Sequence, residues 1–102
     1  MRFRRDSHGV AIANADKDQK LLAAFLQGDI QEDIRTGREI LDAARQVGKG
    51  HIAHYEFCGN AHALVATAGS VRIERLDEET ETETHSLPVF TRSLQDWLVF
   101  IR

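Results

Sequence analysis

The chain has 102 residues, with 13 lysines and arginines, 16 aspartates and glutamates, and a formal net charge of -3 at pH 7. This length predicts one domain, residues 1 to 102, that buries a core without metals or disulfides, and the acidic balance argues against nucleic acid as the main partner. A single cysteine excludes an intramolecular disulfide, and no apolar run approaches the roughly 20 residues of a membrane span, so we expect a cytoplasmic protein with no membrane partner.

The N-terminus predicts a β-hairpin. Two short runs, Arg2 to Arg5 and Val10 to Asn14, flank a cluster of turn-forming residues at positions 6 to 9. Arginines on a short edge strand more often protect that edge from pairing than bind nucleic acid, so the basic start does not change the expected partner class. The expected anchors of the hairpin are Phe3, Val10 and Ile12.

Lys20 to Gln27 is compatible with either a helix or a strand. Leucine and alanine favour a helix, but the run is only about two turns long and ends at Gly28. We favour a third strand of an opening meander. In either conformation the core should include Leu21, Leu22, Phe25 and Leu26.

Asp29 to Val47 is predicted to be a long amphipathic helix, because apolar residues recur at steps of three and four while polar side chains face away. Asp29 is the expected N-cap, with Glu32 three residues on, and Gly48 with Gly50 supplies a left-handed stop. A helix of this length is marginal alone in water, so its apolar stripe should be buried against a sheet. The stripe consists of Ile30, Ile34, Gly37, Ile40, Leu41, Ala44, Val47 and Gly48.

Ala53 to Ala68 and Val71 to Leu76 contain the clearest strand pattern. Gly59-Asn60 and Gly69-Ser70 are two-residue loops that suit tight hairpins, so each should fix the register of its neighbouring strands. Cys58 would then oppose Ala61, and Ala68 would oppose Val71. This register gives a core face of Ala53, Tyr55, Phe57, His62, Leu64, Ala66, Val71 and Ile73, and an outer face of His54, Glu56, Cys58, Arg72 and Glu74.

The C-terminal third begins with an acidic run, Asp77 to Thr84, whose five acidic groups and lack of apolar residues indicate a solvated loop or a polar edge. Ser86 to Phe90 is expected to return briefly to the sheet. From Ser93, which forms a capping pattern with Asp96, a second amphipathic helix is predicted. Its apolar stripe comprises Leu94, Trp97, Leu98 and Ile101, with Trp97 as a core anchor.

These elements predict an α+β fold: an antiparallel meander sheet of five or six strands, with the long central helix and the C-terminal helix packed on one face.

The best candidate for a metal site is His54-x-Glu56-x-Cys58, whose side chains alternate onto one strand face as zinc ligands can. The predicted register places only alanine and valine opposite them, so a fourth ligand is missing. Cys58 and His54 lie about 7 Å apart along the strand, too far for a nucleophile and its base. We therefore expect no metal, no cofactor and no enzymatic activity.

The chain resembles the small, uncharacterised proteobacterial YacL family. The resemblance rests on five features: the N-terminal residues Phe3, Arg5, Asp6, Gly9 and Val10; Phe25 before the acidic start of the long helix; Leu41 inside that helix; Val71 and Arg72 after a glycine turn; and the acidic run before a final amphipathic helix. The family has no established activity. The resemblance therefore implies an α+β fold in a bacterial cytosol and transfers no functional residues.

Two function classes stay open: an immunity protein that neutralises a contact-dependent or secreted nuclease toxin, and a YacL-like adaptor or regulatory protein. An acidic surface suits the first, because it attracts and covers the basic cleft of a nuclease. A loop kept acidic for solubility explains the same residues equally well. The expected partner-binding residues are Asp77, Glu78, Glu79, Glu81 and Glu83, with Asp29, Glu32 and Asp33 as a second acidic patch.

Overall fold

Six strands and three α-helices make up the chain in the computed structural model, which describes residues 1 to 102. The strands are β1 (Arg2–Arg5), β2 (Ala11–Asn14), β3 (His54–Cys58), β4 (His62–Thr67), β5 (Ser70–Arg75) and β6 (Thr82–Ser86). The helices are α1 (Lys20–Phe25), α2 (Ile34–Gly48) and α3 (Leu87–Ile101), with a 3-10 turn at Lys17–Gln19 and a π-helical turn at Leu26–Ile30.

The strands form two antiparallel sheets, a β1–β2 hairpin and a four-stranded meander in the order β3-β4-β5-β6. The predicted α+β class is confirmed, although the six strands are divided between two sheets. One hydrophobic cluster joins residues from all three helices to both sheets, and the opposite face of the meander is open to solvent. Every helix falls short, in length or in apolar content, of what a transmembrane span needs.

The N-terminal hairpin is confirmed, but two of its predicted anchors are wrong. Val10 precedes β2 and is 50% exposed, and Ile12 is only partly buried. Phe3 pairs with Ala13, so the inward face of the hairpin carries Phe3, Ala11 and Ala13. Alanine is small enough for β2 to lie close against α1. The buried face of β2 is therefore formed by small residues, whereas the prediction chose large apolar ones.

The preference for a strand at Lys20 to Gln27 is wrong, since the segment forms α1 and the start of the π-helical turn. The four predicted core residues are nevertheless buried, because their spacing also matches one side of a helix. A long-range interaction stabilises this helix. The Glu83 carboxylate in β6 accepts hydrogen bonds from the backbone amides of Leu21 and Leu22, at 2.8 and 2.9 Å, and so caps the first turn of α1.

Helix α2 begins at Ile34, five residues later than predicted, and Asp29 is not its N-cap. Asp33 takes that role, because its side chain accepts a hydrogen bond of 3.0 Å from the Thr36 amide. Between the π-helical turn and α2 the backbone passes through Gln31 at φ 56, a left-handed conformation that breaks the continuous helix expected from periodicity. The capping box with Glu32 is therefore absent.

The rest of the α2 prediction is confirmed. The apolar stripe is buried along the helix except at its ends, where Ile34 is half-buried and Gly48 is exposed. Gly48 is the last helical residue, and Gly50, at φ 76, supplies the left-handed position of the stop. The stripe faces β3, β4 and α3, as the prediction of a sheet partner required.

Asp33 is expected to make the stability of α2 sensitive to acid. Hydrogen bonds from the Thr36 amide and hydroxyl lower the pKa of Asp33 below its usual 3.8. Because the folded-state pKa lies below the unfolded one, the carboxylate stabilises the fold fully above the unfolded pKa and loses this effect as pH falls through the folded pKa. The difference in unfolding free energy between the wild type and Asp33→Ala should be largest near neutral pH and shrink below 3.8. Urea titrations from about pH 7 to about pH 2 measure it, and a difference independent of pH would contradict this role.

The predicted strand registers are wrong by two residues. Cys58 pairs with Ala63 instead of Ala61, and Val71 pairs with Ala66 instead of Ala68. Because side chains alternate with a period of two, this shift leaves every residue within the strands on its predicted face. The placement of Ala53 on the core face is wrong, because Ala53 precedes β3 and is exposed. The β3–β4 connection is correspondingly longer, residues 59 to 61, and the β4–β5 loop is Ala68-Gly69.

The segment Ser86 to Phe90 does not return to the sheet. The returning strand is β6, which ends at Ser86, and α3 starts immediately afterwards. The Ser86 hydroxyl accepts a hydrogen bond of 3.3 Å from the Val89 amide, so Ser86 is the cap in place of Ser93. Asp96 lies inside the helix, 3.8 Å from Arg92. The predicted stripe is confirmed, with Trp97 fully buried.

Candidate functional site

The acidic residues that follow β5 lie at one end of the four-stranded sheet, next to the β3–β4 turn. The Leu76 amide donates a 3.0 Å hydrogen bond to the carbonyl of Ala61, which ties the two segments together. Between them and the start of α1 lies an open cavity of about 500 Å³. We call residues 77 to 81, together with Lys20 and Arg75, the acidic corner.

Arg75 organises the acidic corner. Its guanidinium donates to Asp77 at 2.9 Å and to Glu81 at 2.8 Å, and it lies 3.9 Å from Glu79. These carboxylates, the hydrogen-bonded Asp77 above all, raise the pKa of Arg75 above its usual value, so the residue stays charged. The loop between β5 and β6 is therefore ordered by its contacts with the Arg75 guanidinium.

The acidic corner keeps an excess of negative charge. Lys20 lies 3.7 Å from Glu81 and is the second cation in contact with the loop. Four carboxylates, those of Asp77, Glu78, Glu79 and Glu81, face two cations, so the side-chain charge is 2 − 4 = −2. Glu78 forms no ion pair and is exposed to solvent. Sequence reasoning located this loop but missed Arg75, although an arginine two residues before an acidic run is a recognisable signal.

Glu83 does not belong to this surface. Its side chain is 12% exposed, and besides capping α1 it lies 2.6 Å from the ring of His85. A carboxylate with three internal partners is not available to another protein. The structure thus assigns Glu83 to the fold, as the link between β6 and α1.

Asp29 is also internal, since its side chain is 0% exposed. It accepts hydrogen bonds from the amides of Ala61 and His62, at 3.3 and 2.9 Å, and lies 3.4 Å from Nδ1 of His62. The carboxylate therefore attaches the π-helical turn to the β3–β4 turn. A partner cannot reach it without opening the core.

Asp29 and His62 together have the geometry of a carboxylate that orients an imidazole, and His62 lines the cavity beside the acidic corner. An oriented imidazole can accept a proton from a neighbouring nucleophile. The other residues that line the cavity contain no serine, threonine or cysteine. The cavity therefore places no hydroxyl or thiol nucleophile beside this imidazole.

The remaining residues predicted to bind a partner lie at the start of α2. Glu32 is exposed and forms a 3.0 Å ion pair with Arg5 of β1, and Asp33 caps the helix. No hydrogen bond or ion pair joins either residue to the acidic corner. The two predicted acidic patches therefore make no direct contact with each other.

The outer face of β3 carries the side chains considered as metal ligands. His54, Glu56 and Cys58 are exposed, and their cross-strand partners are Thr67, Val65 and Ala63. No group of three or more histidine, cysteine, aspartate or glutamate side chains is placed so that it could hold a metal ion. The corrected register thus still places no zinc ligand opposite this run.

Comparison with known proteins gives one match. The model of an uncharacterised protein family, UPF0231, matches residues 1–95. No curated protein and no solved structure matches the chain.

Proposed function

The chain belongs to the uncharacterised protein family UPF0231, and we propose that it is a non-catalytic acidic binding protein of the bacterial cytosol. Its partner would be a contact-dependent or secreted nuclease toxin, which it neutralises as an immunity protein by covering the basic active-site cleft. The observation that supports this proposal is the acidic corner, where four carboxylates face only two cations beside an open cavity.

A nuclease cleft is basic because it binds phosphates, so an acidic surface accelerates the encounter and then blocks the substrate. The ion pairs of Arg75 also lower the entropic cost of binding a partner. Three carboxylates already lie around one guanidinium, so less side-chain freedom is lost when the partner binds. Asp77, Glu78, Glu79 and Glu81 form the proposed contact surface, and Glu32 and Asp33 form a second exposed acidic group.

The alternative is a YacL-like cytosolic adaptor of unknown role. The match to an uncharacterised family over residues 1–95 is compatible with both functions. The genomic neighbourhood separates the two functions. A toxin-like reading frame immediately upstream supports the immunity protein, and a housekeeping neighbourhood supports the adaptor.

A charge-reversal experiment tests the proposal. The partner is isolated by pull-down from cells of the same strain and assayed for nuclease activity. Changing Glu78 and Glu79 to lysine leaves the 2.8 and 2.9 Å hydrogen bonds of Arg75 intact. We expect this double variant to bind the partner about tenfold more weakly, with a flatter salt dependence.

The matched control reverses Asp18 and Glu56, which are exposed and lie outside the acidic corner. Both double variants change the net charge by +4, from -3 to +1, so a general charge effect would weaken binding equally in the two proteins. The immunity proposal is wrong if the partner is a nuclease that stays active in a molar excess of this protein.

A further inference from the structure

A groove runs between α2 and α3 on the outside of the molecule. The two helices are antiparallel and closely packed: a β-carbon on Gly37 would overlap the Leu98 side chain, and one on Gly48 would lie 2.9 Å from Leu87. Two depressions, of about 360 and 690 Å³, lie along the seam between the helices. Arg45 lines both of them, so they adjoin along the seam, and together they form what we call the α2–α3 groove.

The α2–α3 groove extends along the whole of α2. The residues that α2 contributes, such as Ile34, Arg38, Leu41, Arg45 and Gly48, follow at steps of three and four and therefore lie on one side of the helix. A 15-residue helix is about 22 Å long, which matches about four turns of a second helix laid along it.

The groove is basic, in contrast to the chain as a whole. Arg38, Arg45, Lys49 and Arg102 line it, and none of them forms an ion pair. Asp42 is the only carboxylate among the lining residues, so their side-chain charge is 4 − 1 = +3, in a chain of net charge -3. The lone side-chain hydrogen bond of Arg45, 3.0 Å to Gln95, spans the groove without neutralising the guanidinium.

The floor of the groove is apolar. Ile34, Leu41 and Leu98 line it in one half and Leu87 in the other. The three leucines show only their edges, at 7 to 8% exposure, whereas Ile34 is half-buried and Val99 at the edge of the groove is 52% exposed. A phosphate-binding surface depends on its cations and gains nothing from an apolar floor, so arginines beside an apolar floor indicate a different ligand. It matches a ligand that presents apolar side chains on one side and carboxylates beside them.

We propose that the α2–α3 groove binds an amphipathic α-helix of a partner protein, with the partner's apolar side chains against Ile34, Leu41 and Leu98 and its glutamates or aspartates against Arg38 and Arg45. Charge complementarity and the length of the groove select this ligand. The proposal is independent of the acidic corner, because the two surfaces have opposite charge and share no residue. The protein would then contact one partner through its acidic corner and an acidic helix through its α2–α3 groove.

The test uses two designed helical peptides of about 16 residues with identical leucines at helical spacing. One carries glutamates beside the leucines and the other carries lysines. In fluorescence anisotropy the acidic peptide is expected to bind with a Kd below about 100 µM, and the basic peptide about tenfold more weakly or not at all. Backbone amide shifts in NMR should map the acidic peptide to α2 and α3.

Reversing Arg38 and Arg45 to glutamate should weaken binding of the acidic peptide at least about tenfold. The control reverses Arg35 and Arg92, whose side chains are on the same helices, 90% and 82% exposed, and outside the groove. Equal losses in the two variants, no binding of the acidic peptide, or tighter binding of a single-stranded RNA than of the peptide would each overturn the proposal. Circular dichroism of the two double variants tests whether they remain folded, as we expect because all four arginines are exposed.

Discussion

Replacing Trp97 by alanine is expected to lower the free energy of unfolding by about 3 to 5 kcal/mol, among the largest effects of any single change in this chain. The indole is fully buried and meets the ring of Phe3 edge-on, with the ring centroids 5.1 Å apart. Its Nε1 also donates a 2.9 Å hydrogen bond to the carbonyl of Gln31. Trp97 thus joins α3 to the N-terminal hairpin and to the turn before α2, so its loss loosens both contacts at once.

Trp97→Phe separates the hydrogen bond from the packing. Phenylalanine keeps most of the ring contacts but leaves the Gln31 carbonyl without its donor, and we expect a loss of about 1 to 2 kcal/mol. Gln31 has φ 56 and ψ -124, a conformation that costs about 1 to 3 kcal/mol in a residue other than glycine, so it needs such an external contact to persist. Guanidinium titrations of the three proteins give the comparison. A loss below about 1 kcal/mol for Trp97→Ala would contradict a central role for the indole.

Patterns fixed by backbone geometry could be read from the sequence. The stripes of α2 and α3 and the two faces of the sheet follow from the helical and strand periods, which do not depend on where an element begins. For this reason Leu64, Val71 and Ile73 were placed correctly on the core face, although both strand registers were wrong by two residues. Periodicity determines which side of an element is buried, and it leaves the position along the element open.

The start of α1 and the anchoring of the β3–β4 turn could not be predicted, because polar contacts between residues far apart in the sequence decide them. The carboxylate of Glu83 caps α1 from β6, and the carboxylate of Asp29 holds the β3–β4 turn from the π-helical turn. Sequence reasoning assigned both residues to a partner surface, since acidic side chains are usually exposed. Local spacing made Asp29 a plausible helix cap, whereas Asp33, four residues later, forms that cap.

For the candidate sites, too, the sequence predicts the location but not the contacts between side chains. Composition located the acidic corner, because a run without apolar residues must reach solvent. It did not show that Arg75 gathers Asp77 and Glu81 around one guanidinium. The apolar stripe of α2 by itself does not predict the α2–α3 groove. Arg38 and Arg45, seven residues apart along that stripe, were the available signal.

Replacing Asp29 by alanine is expected to cost about 2 to 4 kcal/mol of unfolding free energy, because the amides of Ala61 and His62 lose their acceptor inside the protein. Glu78→Ala is the matched control, a carboxylate removed from an exposed site without a partner, and should change stability by less than about 0.5 kcal/mol. Urea titrations give both values. Similar losses in the two variants would mean that the buried contacts of Asp29 contribute little.

Gly59 provides an independent test of the same contact. A β-carbon at this position would overlap the Asp29 carboxylate, which is 0% exposed and held by hydrogen bonds, so Gly59→Ala should force the carboxylate away from the amides. In the Asp29→Ala background that obstacle is gone. The cost of Gly59→Ala should therefore be smaller there than in the wild type, with a coupling free energy of about 1 kcal/mol or more in a double-mutant cycle. Additive costs would show that Gly59 is required for the turn itself and that its packing against Asp29 is incidental.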